Sequence, residues 1–283
     1  MLSFIALAAR PEFSVSAVDC RDDHRGWSAE QPRADVRLVL VRSGGFRRRV
    51  RGVCTDLDRT VGYLGLPGEE EHFSHPAGGD VCTSISLRPD LWRSLAGEAP
   101  LLAGSSLYVD GRLDLAHRRL LLAARDDGAE ELVGLVAHAV QQVVTTPTPG
   151  GSGDGALVAK ARGVIGDDHP AASGLIPLAD LLDVSPYRLS RAFTRELGVS
   201  LTRYRNGMRV SRALDRLEEG EPSLAALAAD LGFADQAHLC RTVREHLGHT
   251  PTALRRLLGA NRTSSQTKEC AGASPTNAHE LLV

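Results

Sequence analysis

The sequence lacks paired cysteines, a long hydrophobic run and an excess of basic charge. Its five cysteines stand at positions 20, 54, 82, 240 and 270, an odd number with no Cys-x-x-Cys spacing. This argues against a secreted disulfide framework and against a structural zinc site built from paired cysteines. The longest apolar runs, such as Leu2 to Ala9, are too short to cross a bilayer, and that run lacks the flanking features of a signal peptide. We therefore expect a cytoplasmic protein with no membrane partner.

The net charge of −2 is spread unevenly over the 283 residues. Residues 185–260 contain 12 Arg and 8 acidic residues, which makes this stretch +4 and leaves −6 for the remainder. Such asymmetry points to a basic functional region. Only Lys160 and Lys268 are lysines, but arginine serves phosphate and guanine at least as well. With 42% hydrophobic and 24% charged residues, the chain is globular and long enough for two domains.

The N-terminal part carries short β-like runs separated by Gly- and Pro-rich turns, which predicts a sandwich or small barrel. The predicted strands are Phe13–Val18, Val36–Val41, Val61–Leu66 and Val81–Leu87. The pattern becomes helical from about residue 89, and the C-terminal part consists of short helices. The predicted fold class is therefore α+β and multidomain, with a β-rich N-terminal domain, a helical extension and an all-α C-terminal domain.

The predicted domain boundaries follow these changes in pattern. A helical connecting region at 106–145 has apolar runs with more faces than one core needs, so we expect a homodimer through this helix, with simple packing on the β domain as the alternative. The predicted segments are a β domain at 1–105, the connecting region at 106–145, a flexible linker at 146–155, the all-α domain at 156–260 and a disordered tail at 261–283.

An internal repeat is the strongest feature of the sequence. The segment Leu189–Thr202 recurs fifty residues later as Leu239–Thr252, with five of 14 positions identical. A match at a fixed period indicates a duplicated supersecondary unit. Each copy has the pattern of helix, tight turn and helix. Ser185 and Ser223 are suited to N-caps, and Gly198 and Gly248 to left-handed helix ends.

Each copy leaves polar residues on the outward face of its second helix. Arginine suits guanine and phosphate, glutamine suits adenine, and small side chains suit the thymine methyl group. These positions predict two recognition helices for double-stranded DNA, joined by a helix of about 28 Å that suits successive major grooves. The predicted DNA-binding residues are Tyr187, Arg188, Ser190, Arg191, Thr194 and Arg195 in the first copy, and Gln236, Ala237, His238, Cys240, Arg241 and Arg244 in the second.

The double motif, its spacing, the Leu231-Gly-Phe triplet and the Gly248-His-Thr-Pro segment closely resemble the AraC/XylS family of bacterial transcription regulators. The resemblance covers about Ala156 to Leu258. It implies seven helices, two helix-turn-helix units, binding to promoter DNA and contact with RNA polymerase. The sequence departs from the family pattern at Val243, His249 and Leu254, which concern packing of the second unit.

The β-rich N-terminal region resembles the cupin-like sensor domain of many members of that family, which implies a small-molecule effector. Candidate effector-binding residues are Trp27, His72, His75 and Cys82. Residues that could ligate a metal by type are Glu69, Glu70, Glu71, His72, His75, Asp80 and Cys82. The His-x-His-plus-Glu motif of metal cupins is absent, so we expect no metal and no cofactor.

The leading function is thus an effector-responsive, sequence-specific DNA-binding regulator without a catalytic site. Alternatives are a regulator that senses metal, or thiol redox state through Cys20, Cys54 and Cys82. A third is an enzyme fused to a DNA-binding module, such as an alkyl-transfer repair protein, but the Pro-Cys-His-Arg methyl-acceptor segment of those proteins is absent.

Overall fold

The computed structural model describes residues 2–21, 24–32, 34–97, 106–124, 128–145 and 154–259. The predicted tail at 261–283 lies outside these residues, as does the predicted linker except for Asp154 and Gly155. The chain divides into two compact units, residues 1–211 and 212–283.

A six-stranded antiparallel sheet forms the larger wall of the β domain, with strand order β1-β2-β9-β4-β7-β10. Its strands are β1 (Leu2–Ala9), β2 (Phe13–Cys20), β4 (Val36–Gly44), β7 (Val61–Gly65), β9 (Asp80–Leu87) and β10 (Ser106–Tyr108). Side chains alternate between its two faces, as the period of a strand requires. On β2, for example, Phe13 and Val15 belong to one buried cluster and Val18 to another.

A four-stranded sheet with the order β3-β8-β5-β6 forms the second wall. Its strands are β3 (Gln31–Pro32), β5 (Phe46–Val50), β6 (Val53–Leu57) and β8 (Glu70–Ser74). The two sheets confirm the predicted β-rich architecture. All four predicted strands are present within three residues of their expected ends, whereas β1, β3, β5, β6, β8 and β10 were not predicted.

Three helices cover one face of the larger sheet. They are α1 (Pro89–Ala96) and, in the connecting region, α2 (Gly111–Ala123) and α3 (Ala129–Thr145). Trp92, Leu113, Leu120 and Leu135 from these helices share a buried core with Val15 and other residues of the sheet. The apolar runs of this region are therefore used largely for packing on the β domain.

The first helix-turn-helix unit completes residues 1–211. Its elements are α4 (Asp154–Gly166), a 3₁₀ helix (Pro170–Ser173), α5 (Leu175–Leu181), α6 (Pro186–Leu197) and α7 (Leu201–Glu218). A single buried cluster joins Leu178, Leu189, Phe193 and Tyr204 of this unit to Tyr63 and Tyr108 of the β domain. The β domain and the first helix-turn-helix unit thus share one core.

The second unit contains α8 (Leu224–Asp230), α9 (Gln236–Leu247) and a further helical stretch at residues 251–259. Leu227, Leu239, Val243, Leu247 and Leu254 are buried. The predicted connecting helix is confirmed as α7, within which the division between the two units falls. Among the described residues, the helices are too short or too polar to cross a membrane.

Candidate nucleic-acid interface and β-domain cavity

The predicted start and end of the first recognition helix, α6, are confirmed. The Ser185 hydroxyl accepts a hydrogen bond from the Arg188 N–H at 3.2 Å, and Pro186 occupies the first helical position. Gly198 ends the helix in the left-handed conformation, with φ of 70°. These caps satisfy backbone groups that a helix leaves unpaired at its ends, so local sequence fixes where α6 begins and ends.

The faces of α6 are divided as the sequence predicted. Leu189, Ala192 and Phe193 are completely buried and Leu197 is nearly so. The opposite face carries Tyr187, which is 69% exposed, together with exposed Arg188, Arg191, Thr194 and Arg195 and half-buried Ser190. The inward face anchors the helix, so the outward residues are free to meet a partner without disturbing the core.

The exposed arginines of α6 differ in their intramolecular contacts. Arg191 donates from Nη1 to the Tyr187 hydroxyl at 2.9 Å, and its guanidinium lies 5.5 Å from the centre of the tyrosine ring. By contrast, Arg195 and Arg188 lie 2.5 and 3.8 Å from the carboxylate of Asp154. Arg191 thus contacts the phenol of Tyr187, whereas Arg188 and Arg195 face a carboxylate. The Tyr187 contact leaves the positive charge of Arg191 uncompensated, so this side chain can bind an acceptor group on a partner.

The second recognition helix, α9, has the same construction with a different cap. The Asp235 carboxylate accepts from the His238 N–H at 2.6 Å, and Gly248 ends the helix with φ of 74°. Leu239 and Val243 are buried at the positions that correspond to Leu189 and Phe193. Val243 thus occupies the inward position despite its smaller volume, and the duplicated architecture is maintained.

The outward face of α9 has fewer hydrogen-bonding groups than that of α6. Gln236, Ala237, Arg241 and Arg244 are exposed, whereas His238 and Cys240 are half-buried. The His238 ring packs edge-on against Phe233, with centroids 5.4 Å apart, and its Nδ1 accepts from the Ala234 N–H at 3.3 Å. His238 therefore also contributes to the turn before α9.

The tight turn of each unit needs a residue in the left-handed conformation. In the first unit this residue is Asp183, with φ of 53°, and in the second it is Gly232, with φ of 69°. They are equivalent in the repeat, 49 residues apart. A β-carbon is disfavoured in this region, which explains glycine at position 232.

The β domain contains a cavity of about 500 Å³ between its sheets, partly open to solvent. Its wall is formed mainly by aromatic, aliphatic and thiol side chains, with a polar patch at His24, His75 and Asp80. The lining includes Val18, Val39, Phe46, Tyr63, Phe73, Cys20, Cys82 and Ser84. A volume of this size and a largely apolar wall with few polar groups are typical of small-molecule sites.

Two of the four residues predicted for effector binding line this cavity, namely His75 and Cys82. His72 is instead held near Ser28, with its Nδ1 3.0 Å from the Ser28 carbonyl oxygen. Trp27 stacks against Arg49, whose guanidinium lies 4.6 Å from the indole centre. Burial and the neighbouring Asp80 carboxylate raise the pKa of the Cys82 thiol, which disfavours the reactive thiolate.

Two of the acidic residues considered as metal ligands have another role. Glu69 and Glu71 are buried and both pair with the buried Arg48, at 2.9 and 2.8 Å. The Arg48 guanidinium also lies 4.3 Å from the centre of the Tyr63 ring. Both carboxylates are thus engaged by one buried arginine of β5, inside the second sheet.

Contacts between the β domain and the first helix-turn-helix unit were not predicted. Buried Arg162 of α4 donates to the Asp58 carboxylate from Nε at 3.1 Å and from Nη2, and to the Asp56 carbonyl at 3.1 Å. The Thr60 hydroxyl lies 3.2 Å from the Tyr204 hydroxyl of α7. Burial acts to raise the pKa of Asp58, but Arg162 and Thr60 outweigh it and hold that pKa below its usual range.

Comparisons with known proteins support this description. A family profile described as a helix-turn-helix domain matches residues 178–257. The arabinose operon regulatory protein of Escherichia coli (strain K12) is 31% identical over 90 residues, covering 31% of this chain and 31% of that protein. The HTH-type transcriptional regulator GlxA of Rhizobium meliloti (strain 1021) is 22% identical over 242 residues, covering 81% and 68%.

Among solved structures, ToxT from Vibrio cholerae O395 aligns over 88% of this chain and 99% of its own, with 13% identity and a TM-score of 0.37. The match to the family profile identifies residues 178–257 as a helix-turn-helix domain. More narrowly, this is a domain of the AraC type, and the resemblance found in the sequence is confirmed. The chain spans about a third of the length of the arabinose operon regulators that it matches.

Proposed function

We propose that the protein is an effector-responsive transcription regulator that places two recognition helices in successive major grooves of promoter DNA. The observation that carries this proposal is the duplicated capped helix with a buried apolar face and an exposed face of arginine, glutamine and tyrosine. Helix-turn-helix proteins read base edges with this part of the second helix. The connecting helix α7 has 18 residues, or about 27 Å, which is compatible with adjacent grooves.

The residues divide into two groups by the contacts that they offer DNA. We assign base contacts to Arg188, Arg191, Gln236 and Arg241, with Tyr187 and His238 adding base or sugar contacts. Arg195, Arg209, Arg212 and Arg244 are assigned to phosphates or to intramolecular pairs. The pairing of Arg195 with Asp154 supports the second group. Ser190, Thr194, Ala237 and Cys240 lie beside these arginines and shape the surface that faces the groove.

The defining experiment selects bound fragments from a random DNA pool and then tests Arg191→Ala and Arg241→Ala against single-base operator variants. Loss of a base-reading arginine should cost about 1–3 kcal/mol and relax preference at one base pair. Arg244→Ala, at an exposed arginine of α9, is the control, because loss of a phosphate contact weakens all sequences alike and lowers the salt slope by about 1. Equal losses on every operator variant for both test mutants would show that neither arginine reads a base.

Effector response is proposed to pass through the contact of Asp58 and Thr60 with Arg162 and Tyr204. Since the predicted linker is flexible by composition, coupling needs a direct contact of this kind. Asp58→Asn weakens the ion pair with Arg162, whereas Asp56→Asn removes a partly exposed carboxylate paired with Arg47 and keeps the carbonyl that Arg162 uses.

The two variants are compared in the full chain with a compound that a thermal-shift screen shows to bind the wild type. The change in DNA affinity on adding the compound should shrink for Asp58→Asn and persist for Asp56→Asn. An unchanged response in Asp58→Asn would place the coupling elsewhere. If removal of residues 1–150 leaves DNA affinity and promoter output unchanged under every condition, the sensor proposal itself fails. RNA polymerase is proposed as a partner because the resemblance to the AraC/XylS family implies it, and transcription in vitro tests this.

A further inference from the structure

We propose that Cys20, His75 and Asp80 bind a zinc ion at the wall of the β-domain cavity. The three residues are buried, and their ligand atoms all lie within 4.8 Å of one another. A thiolate, an imidazole nitrogen and a carboxylate oxygen together form a ligand set that zinc accepts. The sequence has no His-x-His motif, so this group differs from the ligand set of metal-binding cupins.

Strand pairing brings these three residues together from distant parts of the sequence. Cys20 at the end of β2 lies directly opposite Asp80 at the start of β9 in the antiparallel register. Directly opposed residues place their side chains on the same face of a sheet. A β-carbon on Gly79 would lie 2.1 Å from the Cys20 carbonyl oxygen, so this close approach requires glycine. The His75 N–H donates to the His24 carbonyl at 2.9 Å, which fixes the backbone before the turn.

Within the described part of the chain, one buried polar atom of His75 and one of Asp80 lack a hydrogen-bond partner. His75 and Asp80 are only 8% and 4% exposed, and both line the cavity. His75 Nε2 lies 3.0 Å from Asp80 Oδ1, yet His75 Nδ1 and Asp80 Oδ1 form no hydrogen bond of acceptable geometry. Buried polar atoms almost always have a partner, so the unpartnered Asp80 Oδ1, which lies beside His75 Nε2, needs an explanation. A cation that enters from the cavity supplies one.

The spacing suits a tetrahedral ion. Ligands at about 2.0–2.3 Å from zinc lie about 3.3–3.7 Å from one another, close to the 3.0 Å between His75 and Asp80. No two ligand atoms of the group are more than 4.8 Å apart. Side-chain shifts of about 1 Å would bring the most distant pair into the range that zinc requires. Cys82 donates from Sγ to the second oxygen of Asp80 at 3.1 Å and orients that carboxylate. Three protein ligands leave a fourth position that faces the cavity.

The experiment uses the full-length protein after chelation and dialysis, titrated with zinc against a competing chromophoric chelator. We expect one equivalent of zinc, and a cobalt-substituted form with a sulfur-to-cobalt charge-transfer band. Cys20→Ser, His75→Gln and Asp80→Asn should each weaken zinc binding by about 100-fold or more. Cys54→Ser, His72→Gln and Asp56→Asn are matched controls that lie outside the group and should bind zinc as the wild type does.

Absence of stoichiometric zinc binding by the folded wild type overturns the proposal. Unchanged zinc affinity in all three test variants, or a cobalt charge-transfer band that survives Cys20→Ser, overturns it as well. Circular dichroism of the metal-free variants identifies any that fail to fold, and the cobalt spectrum of the wild type tests the thiolate ligand without any substitution. No DNA is present in these measurements, so their outcome is separate from that of the proposed DNA-binding function.

Discussion

At the scale of single residues, the protein buries a histidine that is kept neutral. His117 of α2 lies 2.8 Å from the Thr83 hydroxyl, between the helical layer and the larger sheet. Burial lowers its pKa to about 4, and the Asp114 carboxylate only partly opposes this effect. The unfolded chain binds a proton near pH 6.5 while the folded chain does not, so acid favours unfolding in this interval.

The free energy of unfolding should therefore fall as pH decreases from 6.5 towards 4, by about 1.4 kcal/mol per pH unit from His117 alone. Above pH 6.5 this contribution is constant. Urea unfolding at several pH values measures the slope, and His117→Gln should flatten it. His249→Gln, at an exposed position of the second unit, should leave the slope as in the wild type. A wild-type slope in His117→Gln would refute the assignment.

At the scale of elements, the two helix-turn-helix units use different residues for the same backbone conformation. Asp183 and Gly232 both have positive φ in the turn between the two helices. A side chain is costly there, although aspartate tolerates the conformation better than most residues. The two turns thus reach one geometry at different conformational cost.

Replacing Gly232 by Ala should destabilise the second unit by about 1–2 kcal/mol, because alanine is strained at this φ. Asp183→Gly in the first unit should be close to neutral, since relief of strain is offset by greater freedom of the unfolded chain. Thermal unfolding followed by circular dichroism compares both variants with the wild type. A larger loss from Asp183→Gly than from Gly232→Ala would contradict this explanation of the turns.

At the scale of the whole molecule, the predicted homodimer needs a surface that the fold leaves uncovered. Helix α3 buries Leu132, Leu135, Val136 and Ala139 against the β domain. Val133 on the same helix is 49% exposed. Much of the apolar surface of α3 is therefore already buried within the chain, which leaves less of it for a partner. Dimerisation through this helix stays a prediction.

A charge at Val133 should separate the dimer if α3 forms the interface, because burying an unpaired carboxylate is costly. Val133→Glu is compared with Val53→Glu, a matched change at a valine of β6 that is 52% exposed. Light scattering at micromolar concentration should give a dimer for the wild type and Val53→Glu, and a monomer for Val133→Glu. A monomeric wild type, with and without DNA, would contradict the dimer.

The sequence alone determined the features that depend on neighbouring residues. The serine caps at 185 and 223, the left-handed glycines at 198 and 248, and the alternation of buried and exposed residues along α6 all act within one or two helical turns. Because the unit is duplicated, the same pattern of caps and buried positions appears twice in the sequence. Strand β5 of the second sheet escaped prediction because one of its buried positions is taken by Arg48, so that Phe46-Arg-Arg-Arg-Val50 shows little apolar alternation.

Only the tertiary structure decided which polar groups of the β domain share a site. Cys20 meets Asp80 through strand pairing across sixty residues, and Arg162 meets Asp58 across 104. Glu69 and Glu71 had the right chemistry for a metal but are held by Arg48, whereas Cys20 was considered only as a thiol and lies beside His75. Such pairings depend on register and on the packing of distant elements, and neither is encoded in the local spacing of residues.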